Sequence, residues 1–394
     1  MNMVEFGSLF RFIRNGMNIK QDKSGEGLPI TRIETIADAR VDSSRVGYAG
    51  LKESDCPEWM MEPGDILFSH INSVEHIGKC AVYYGTPEKL VHGMNLLCLR
   101  CDTKKLLPEF AKYLIRSPAF RARLSNFINK AVNQASVSIG NLKTIPVSVP
   151  SLEEQKKIAD ILDRAEALRT KRRAALEQLN ELTQAIFIDM FGDPVANPKG
   201  WQTIECANIC ERITVGIVVK PASYYVPSGV PALRSLNIKP GYISLEDLVY
   251  FSEHDNNTKL AKTKLKTGDL VIVRTGQPGT SSVVPADLDG INAIDLLIAT
   301  PKPDIVNSVF LSQFFNSSGG RSIVLTAQRG QVQKHLNVGS LNESCIPLPP
   351  IELQKEFSRR VSAVEKLKTA HKSSLAELDE LFASLQYRAF RGEL

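Results

Sequence analysis

Long hydrophobic runs are missing from this 394-residue chain. Its apolar stretches are short and interrupted by charges, which excludes a membrane-spanning helix of about 20 apolar residues. The start, Met1-Asn2-Met3-Val4-Glu5-Phe6, has no basic segment followed by an apolar one, so no secretory leader is expected and a cytoplasmic location is. The seven cysteines are odd in number and follow no disulfide framework. Cys98 and Cys101, with Cys206 and Cys210, could be imagined as zinc ligands, but the two spacings differ and the pairs fall at non-equivalent places. Reduced thiols filling core space is the expectation, with no metal and no cofactor. Charge of one sign is not strongly in excess. A net +5 permits nucleic-acid binding without establishing it, because clustering of Lys and Arg matters more than the total. Phosphate-binding glycine loops are lacking too: Gly276-Gln277-Pro278-Gly279 has the wrong spacing, and its proline removes an N–H that a phosphate cradle needs.

What is present is a repetition. Ser138-Ile139-Gly140-Asn141-Leu142 followed by Val149-Pro150-Ser151-Leu152-Glu153-Glu154-Gln155-Lys156 returns as Asn337-Val338-Gly339-Ser340-Leu341 and Leu348-Pro349-Pro350-Ile351-Glu352-Leu353-Gln354-Lys355. The shift is 199 residues, from Pro150 to Pro349, and it holds without a gap through Leu168/Leu367, Leu182/Leu381 and Phe191/Phe390. A period this long makes each repeat a domain plus a helix. The expected fold is α+β: two similar globular domains (1–150 and 193–348) and two long helices (151–192 and 349–394) that form an antiparallel coiled coil about a pseudo-twofold axis.

The spacing predicts a helix over Leu152–Phe191, begun by a Ser151/Glu154 capping box and stopped by Gly192 and Pro194. Its apolar seam runs Ile158, Ile161, Ala165, Leu168, Arg172, Ala175, Leu179, Leu182, Ile186. The second helix gives Phe357, Arg360, Val364, Leu367, His371, Ser374, Leu378, Leu381, Leu385, again in alternating steps of three and four. In the globular parts, strands are expected at Pro29–Ile33, Gly64–Phe68 and Lys79–Tyr84, then one helix from Pro108 to Phe127. Pro231–Leu236, Gly268–Val273 and Phe310–Leu325 follow in the same order.

These stretches resemble the specificity subunits of type I restriction-modification systems over essentially the whole chain. The resemblance rests on Ile145-Pro146-Val147-Ser148-Val149-Pro150-Ser151-Leu152-Glu153-Glu154-Gln155, on Met190-Phe191-Gly192-Asp193-Pro194 leading to Lys199-Gly200-Trp201, on Ile346-Pro347-Leu348-Pro349-Pro350-Ile351-Glu352-Leu353-Gln354, and on Phe390-Arg391-Gly392-Glu393-Leu394. The first copy has no counterpart to Lys199-Gly200-Trp201, so its first strand is expected to be shortened. The resemblance implies a non-catalytic subunit in which two target-recognition domains read a bipartite, asymmetric double-stranded DNA sequence. It also implies two modification (methyltransferase) subunits as partners, two restriction (motor nuclease) subunits where present, and no membrane.

The residues agree with an absence of catalysis. Leu348-Pro349-Pro350-Ile351 has the two prolines of an adenine-methyltransferase loop but neither its polar acceptor nor its aromatic ring. A protein-binding adaptor or orphan scaffold with duplicated modules is the alternative from a different class. Candidate DNA contacts fall in two pairs of corresponding loops. One pair is His70, Asn72 and His76 with Arg274, Thr275, Gln277 and Thr280; the other is Lys130, Asn133, Gln134 and Ser136 with Gln328, Arg329, Gln331, Gln333 and Lys334. Arg suits guanine, and Asn or Gln suits adenine, in the major groove. Arg234, equivalent to Arg32, suits either a phosphate or a bracing role.

Overall fold

The computed structural model describes residues 3–130, 134–326 and 335–394. They divide into two compact units, Met1–Arg173 with Ser373–Leu394, and Ala174–Lys372. Each unit therefore holds one globular part, the first half of the long helix that follows it and the second half of the other long helix.

Both units use one frame. In the first, a four-stranded antiparallel sheet is ordered Phe10–Asn15, Leu96–Cys101, Ile66–Ser69, Cys80–Val82; in the second, Cys210–Val215, Leu296–Pro301, Leu270–Val273, Ser281–Val283. The central strands are buried on both faces, which is why they read as continuous apolar runs rather than alternating ones. A short ribbon closes each domain: Met3–Glu5 pairs with Pro146–Ser148, and Thr203–Glu205 with Cys345–Pro347. The two ribbons have equal length, so the first strand is not shortened. Chain pairing supplies its partner without any help from a Lys-Gly-Trp segment.

Two other expectations are corrected. Pro29–Ile33 is not a strand: Ile30 makes isolated bridges to Gly47 and Val91, and a 3-10 turn follows at Ile33–Ile36. The single helix expected from Pro108 to Phe127 is two, Pro108–Arg116 and Pro118–Ser125. Pro118 forces Ser117 into an extended conformation, and the Ser117 hydroxyl then accepts from the Phe120 N–H as an N-cap. The second unit breaks at the same place without a proline, between Ser308–Asn316 and Ser318–Thr326, where the Ser317 hydroxyl accepts from the Gly320 N–H.

The long helices run Leu152–Phe191 and Ile351–Ala389. At the start of the first, the Glu154 carboxylate accepts from the Ser151 N–H and hydroxyl while the Ser151 hydroxyl accepts from the Glu154 N–H, the expected capping box. Gly192 takes a φ of 82° and ends the helix. Its last carbonyls are satisfied by the signature downstream: Lys199 Nζ donates to those of Asp189 and Met190, and the Trp201 indole N–H to that of Phe191 at 3.0 Å.

Each helix is fixed to the globular part before it by one buried glutamine. The Gln155 carbonyl accepts from the Leu107 N–H at 2.9 Å, and its amide donates to the carbonyls of Lys105 and Pro150. Gln354 does the same with the Asn307 N–H at 2.8 Å and the carbonyls of Ile305 and Pro349. Both glutamines are fully buried, so their polar atoms must be satisfied. That requirement gives the repeated Glu-x-Gln motif a physical cause.

Within each unit the two helix halves are antiparallel. In the first, Ile158 and Leu162 share a core with Leu385 and Ala389, and a turn further on Arg169 meets Asp379 at 2.5 Å and lies over the Phe382 ring. In the second, Phe187 and Phe191 pack on Phe357 with ring centroids 5.7 and 5.4 Å apart, in a core that also holds Phe310, Phe314 and Phe315. The buried stripe differs from the expected seam. Leu168 and Leu367 are 53% and 52% exposed, and Ile161, Leu182 and Leu381 also face outward. The stripe keeps Ile158 and Ala165 of that seam but takes in Leu162 and Arg169 in place of Ile161 and Leu168, because each helix half must bury one face against its globular domain as well as against the other helix.

Candidate nucleic-acid interface

Sheet topology decides which loops share an edge. In the second unit, Cys210–Val215 and Leu270–Val273 both pair antiparallel to the intervening Leu296–Pro301, so they point the same way. Their C-terminal ends, and the turn entering Leu296, therefore lie at one edge. That edge carries Gly216–Lys220, Arg274–Thr280 and Ile294–Asp295, and it is joined by Leu336, whose N–H donates to the Arg274 carbonyl at 3.0 Å. The same bond exists in the first unit, from the Val137 N–H to the His70 carbonyl at 2.9 Å. His70 and Arg274 are thus structural equivalents.

In the first unit the two candidate loops come together as a small three-stranded sheet, Ile71–Asn72, Ala135–Ser136 and Asn129–Lys130. Asn72, Lys130 and Ser136 sit on its strands, with Lys130 and Gln134 exposed and Asn72, Ser136 and His76 half-buried. Asn72 keeps its carbonyl on the Ser73 N–H at 2.8 Å. His70 is buried, and burial lowers its pKa to about 4. It is neutral at physiological pH and its edge is turned away from solvent. Asn133 lies outside the described residues.

In the second unit Thr275 and Gln277 are exposed and Thr280 is buried, its hydroxyl accepting from Arg321 at 3.3 Å. Arg274 is held from three sides: it donates to the Leu336 carbonyl at 3.2 Å, to Asp295 at 2.6 Å and to the His335 ring at 2.6 Å. Arg234 donates through its guanidinium to the Asp247 carbonyl, and its own N–H is accepted by the Asn237 side chain. This ties a turn together. Gln328, Arg329, Gln331, Gln333 and Lys334 lie outside the described residues.

Several parts of this edge were not found from the sequence. Arg121 and Arg321, at equivalent helix positions, brace the loops from behind: Arg121 donates to the Ile77 carbonyl and Arg321 to Thr280. The glycines beside them, Gly78 and Gly279, adopt φ of 79° and 88°, and a Cβ on Gly78 would come within 2.5 Å of the Arg121 guanidinium. Corresponding Gly/Arg pairs 200 or so residues apart were the available signal. Gly16–Lys20 and Gly216–Lys220 were also missed, since neither is rich in polar residues.

The cysteines of the imagined zinc site are buried members of the sheets and cores. Burial pushes the Cys101 thiol up to about 12 and the Cys98 thiol well above its usual value. Among the described residues no helix is long and apolar enough to cross a membrane.

Residues 1–178 match the family model for the type I restriction modification DNA specificity domain. The chain is 32% identical over 382 residues to a protein named as the type I restriction enzyme MjaX specificity subunit of Methanocaldococcus jannaschii, covering 92% of this chain and 86% of that one. It is 30% identical over 198 residues to the EcoKI specificity subunit of Escherichia coli K12, covering 48% and 42%. Among solved structures, a chain from a type I R-M system superposes over 100% of this chain and 98% of its own with a TM-score of 0.61 at 18% identity. The S subunit from M. genitalium does so over 99% and 96% with a TM-score of 0.59 at 14% identity, so the fold is shared far beyond sequence likeness. With a duplicated frame, paired loop edges and a full-length relative of this identity, the chain belongs to the family of type I restriction enzyme specificity subunits.

Proposed function

We propose that this chain is the sequence-reading subunit of a type I restriction-modification complex: each globular unit reads one part of a bipartite, asymmetric DNA target, and the long helices dock two methyltransferase subunits and, where present, two restriction subunits. The observation that carries this reading is the duplicated loop edge, on which the same backbone frame presents different side chains in the two units. Equivalent positions hold His70 and Arg274, fixed by the same backbone bond to Val137 and Leu336. A pair of enzyme sites would keep its chemistry between copies, whereas a pair of readers of an asymmetric sequence must not.

The exposed members, Lys130 and Gln134 in one unit and Thr275 and Gln277 in the other, together with the half-buried Asn72, His76 and Ser136, are the direct contacts in this reading. His70, Arg274, Thr280 and Arg234, buried or held by internal bonds, shape the loops. Asn133, Gln328, Arg329, Gln331, Gln333 and Lys334 complete the set proposed for DNA. The outward leucines Leu168, Leu182, Leu367 and Leu381 recur at the 199-residue shift, which supports docking of two copies of one partner on the helices.

The test is methylation mapping with the chain assembled on its methyltransferase subunits. The expected result is one asymmetric two-part motif, bound with a negative salt slope as phosphate contacts release counterions, and Gln277→Ala relaxing one part only. Absent or salt-independent duplex binding by the assembled complex would overturn the reading in favour of a protein-binding adaptor.

A further inference from the structure

Val219 is 74% exposed, more than any other large apolar side chain among the described residues, and Val218 beside it is 49% exposed. Two adjacent β-branched residues held in water need a reason, because burying such a side chain is favourable by about 1.5–3 kcal/mol. Their backbone is not loose. The Gly216 N–H donates to the Leu296 carbonyl at 2.8 Å, the Ile217 N–H to the Ala293 carbonyl at 2.8 Å, and the Asp295 N–H to the Ile217 carbonyl at 3.1 Å. A Cβ on Gly216 would stand 2.3 Å from the Ala293 carbonyl oxygen, so only glycine lets the segment lie so close to the sheet edge. Lys220 follows in a left-handed conformation, φ 42°, and is exposed.

The first unit builds the same segment. The Met17 N–H donates to the His92 carbonyl at 2.8 Å and the Met94 N–H to the Met17 carbonyl at 3.0 Å. A Cβ on Gly16 would stand 1.9 Å from the Gly93 carbonyl oxygen. The tip there reads Asn18-Ile19-Lys20 against Val218-Val219-Lys220, with Asn18 and Lys20 exposed. So the anchor and the terminal lysine are kept, and the residues between them change from amide-bearing to wholly apolar. Both segments sit on the sheet edge that carries the candidate loops.

Resting on the DNA-reading function proposed above, we infer that this segment is a further reading element in each unit. In the second unit, Val219 with Val218 reads thymine through its C5 methyl group in the major groove, and Lys220 holds a flanking phosphate. Valine has no hydrogen-bonding group, and the thymine methyl is the one apolar feature that distinguishes a base pair in that groove. Lysine is a compact point charge that a backbone phosphate readily takes. In the first unit Asn18 stands where Val218 does, and its amide matches the N6/N7 edge of adenine.

The experiment uses the full chain assembled with its methyltransferase subunits. Methylation mapping first defines the target, and binding is then measured on duplexes in which each thymine is replaced singly by uracil, which lacks only the methyl group. One thymine, in the same target part that Gln277→Ala relaxes, should lose about fourfold in affinity on replacement, the worth of one buried methyl group. Val219→Ala should bind the thymine and uracil duplexes equally, and Lys220→Ala should weaken all duplexes alike. Val219 lies in water, so Val219→Ala folds as the parent does; Val219→Thr, which keeps one methyl, should retain part of the preference. Uracil sensitivity that persists in Val219→Ala, or a target part with no thymine that responds, overturns the inference. If the unmodified complex binds no duplex specifically, the function proposed above has failed instead.

Discussion

Arg274 is the residue at which reading and bracing separate most cleanly. It has the chemistry of a guanine reader, yet its side chain is only 14% exposed and its guanidinium is occupied by Asp295, Leu336 and His335. Hydrogen bonds to a charged group are worth roughly 1.5–3 kcal/mol each when buried. Asp295 is 44% exposed, so solvent screening takes that pair below this range, to less than about 1 kcal/mol. For Arg274→Ala we expect a local loss of about 2 kcal/mol, since two loop segments lose the group that joins them. Converted at about 1.4 kcal/mol per tenfold, that is a roughly thirtyfold loss of amide protection. Hydrogen exchange followed over 274–280 and 335–341 measures it directly. Asp295→Asn should produce a smaller loss in the same two segments, and the double variant should fall short of the sum because both act through one contact. If Arg274→Ala leaves protection unchanged and instead abolishes discrimination at a single base pair, Arg274 is a reader and the bracing argument is wrong.

Stability should depend on pH through His70 and His92, whose pKa values burial lowers to about 4. An imidazole with a depressed folded pKa binds protons preferentially in the unfolded chain between about pH 4 and 6.5, so stability is complete above 6.5 and is lost as pH falls. Denaturant unfolding should show roughly 1 kcal/mol lost per histidine between pH 7 and 5.5, a slope flattened by His92→Gln; an unchanged slope would refute the assignment. Trp201→Phe removes the indole N–H from the Phe191 carbonyl, and calorimetry should register about 1 kcal/mol of destabilisation, with no change meaning that water replaces the cap. A 1–192 fragment lacks the half helix Ser373–Leu394 that completes the first unit, and sedimentation should find it dimeric, each copy lending its own second half. Arg169 would there face Asn180, the repeat counterpart of Asp379, so Asn180→Asp should tighten the dimer; a stable monomer would contradict the pairing.

Much of the fold is legible because its signals are local or periodic. The helix bounds Leu152–Phe191 follow from a capping box and a left-handed glycine, and the antiparallel pairing from two amphipathic helices in one duplicated chain. The face of the seam is not legible. A single helix sequence cannot say that Leu162 and Arg169 turn inward while Ile161 and Leu168 turn out, because that depends on the Pro108–Arg116 helix sharing the same groove. The break at Ser117 was written in Pro118, but the matching break at Ser317 has no proline and is set by a serine cap alone. At the candidate interface, residue type suggested loops, while burial of His70 and Thr280 and the three-sided hold on Arg274 come from residues more than 20 positions away. Val219 was missed because an apolar pair after a strand reads as core until its exposure is known.

The two copies also show which features the frame requires and which it leaves free. Asp65 and Asp269 are both buried, and each accepts from a backbone N–H three residues before it, Glu62 at 2.8 Å and Lys266 at 2.9 Å, fixing the turn into the central strand. A buried carboxylate needs a cation, and each has one, but from different strands. Asp65 is held by Arg100 at 2.7 Å, over the Phe12 ring; Asp269 is held by Arg212 at 2.7 Å, with Thr300 donating alongside. Phe12 pairs with Arg100 and Arg212 with Thr300 at the same register of the two sheets, so the arginine has changed strands while the carboxylate and its turn have not moved. The constraint is therefore on charge balance at a point in space, not on a residue in the chain. The edge loops lie beyond that point and carry no such constraint on their tips. Side chains such as Gln277 and Val219 can change identity without disturbing the turn, the sheet or the buried glutamine that joins the domain to its helix.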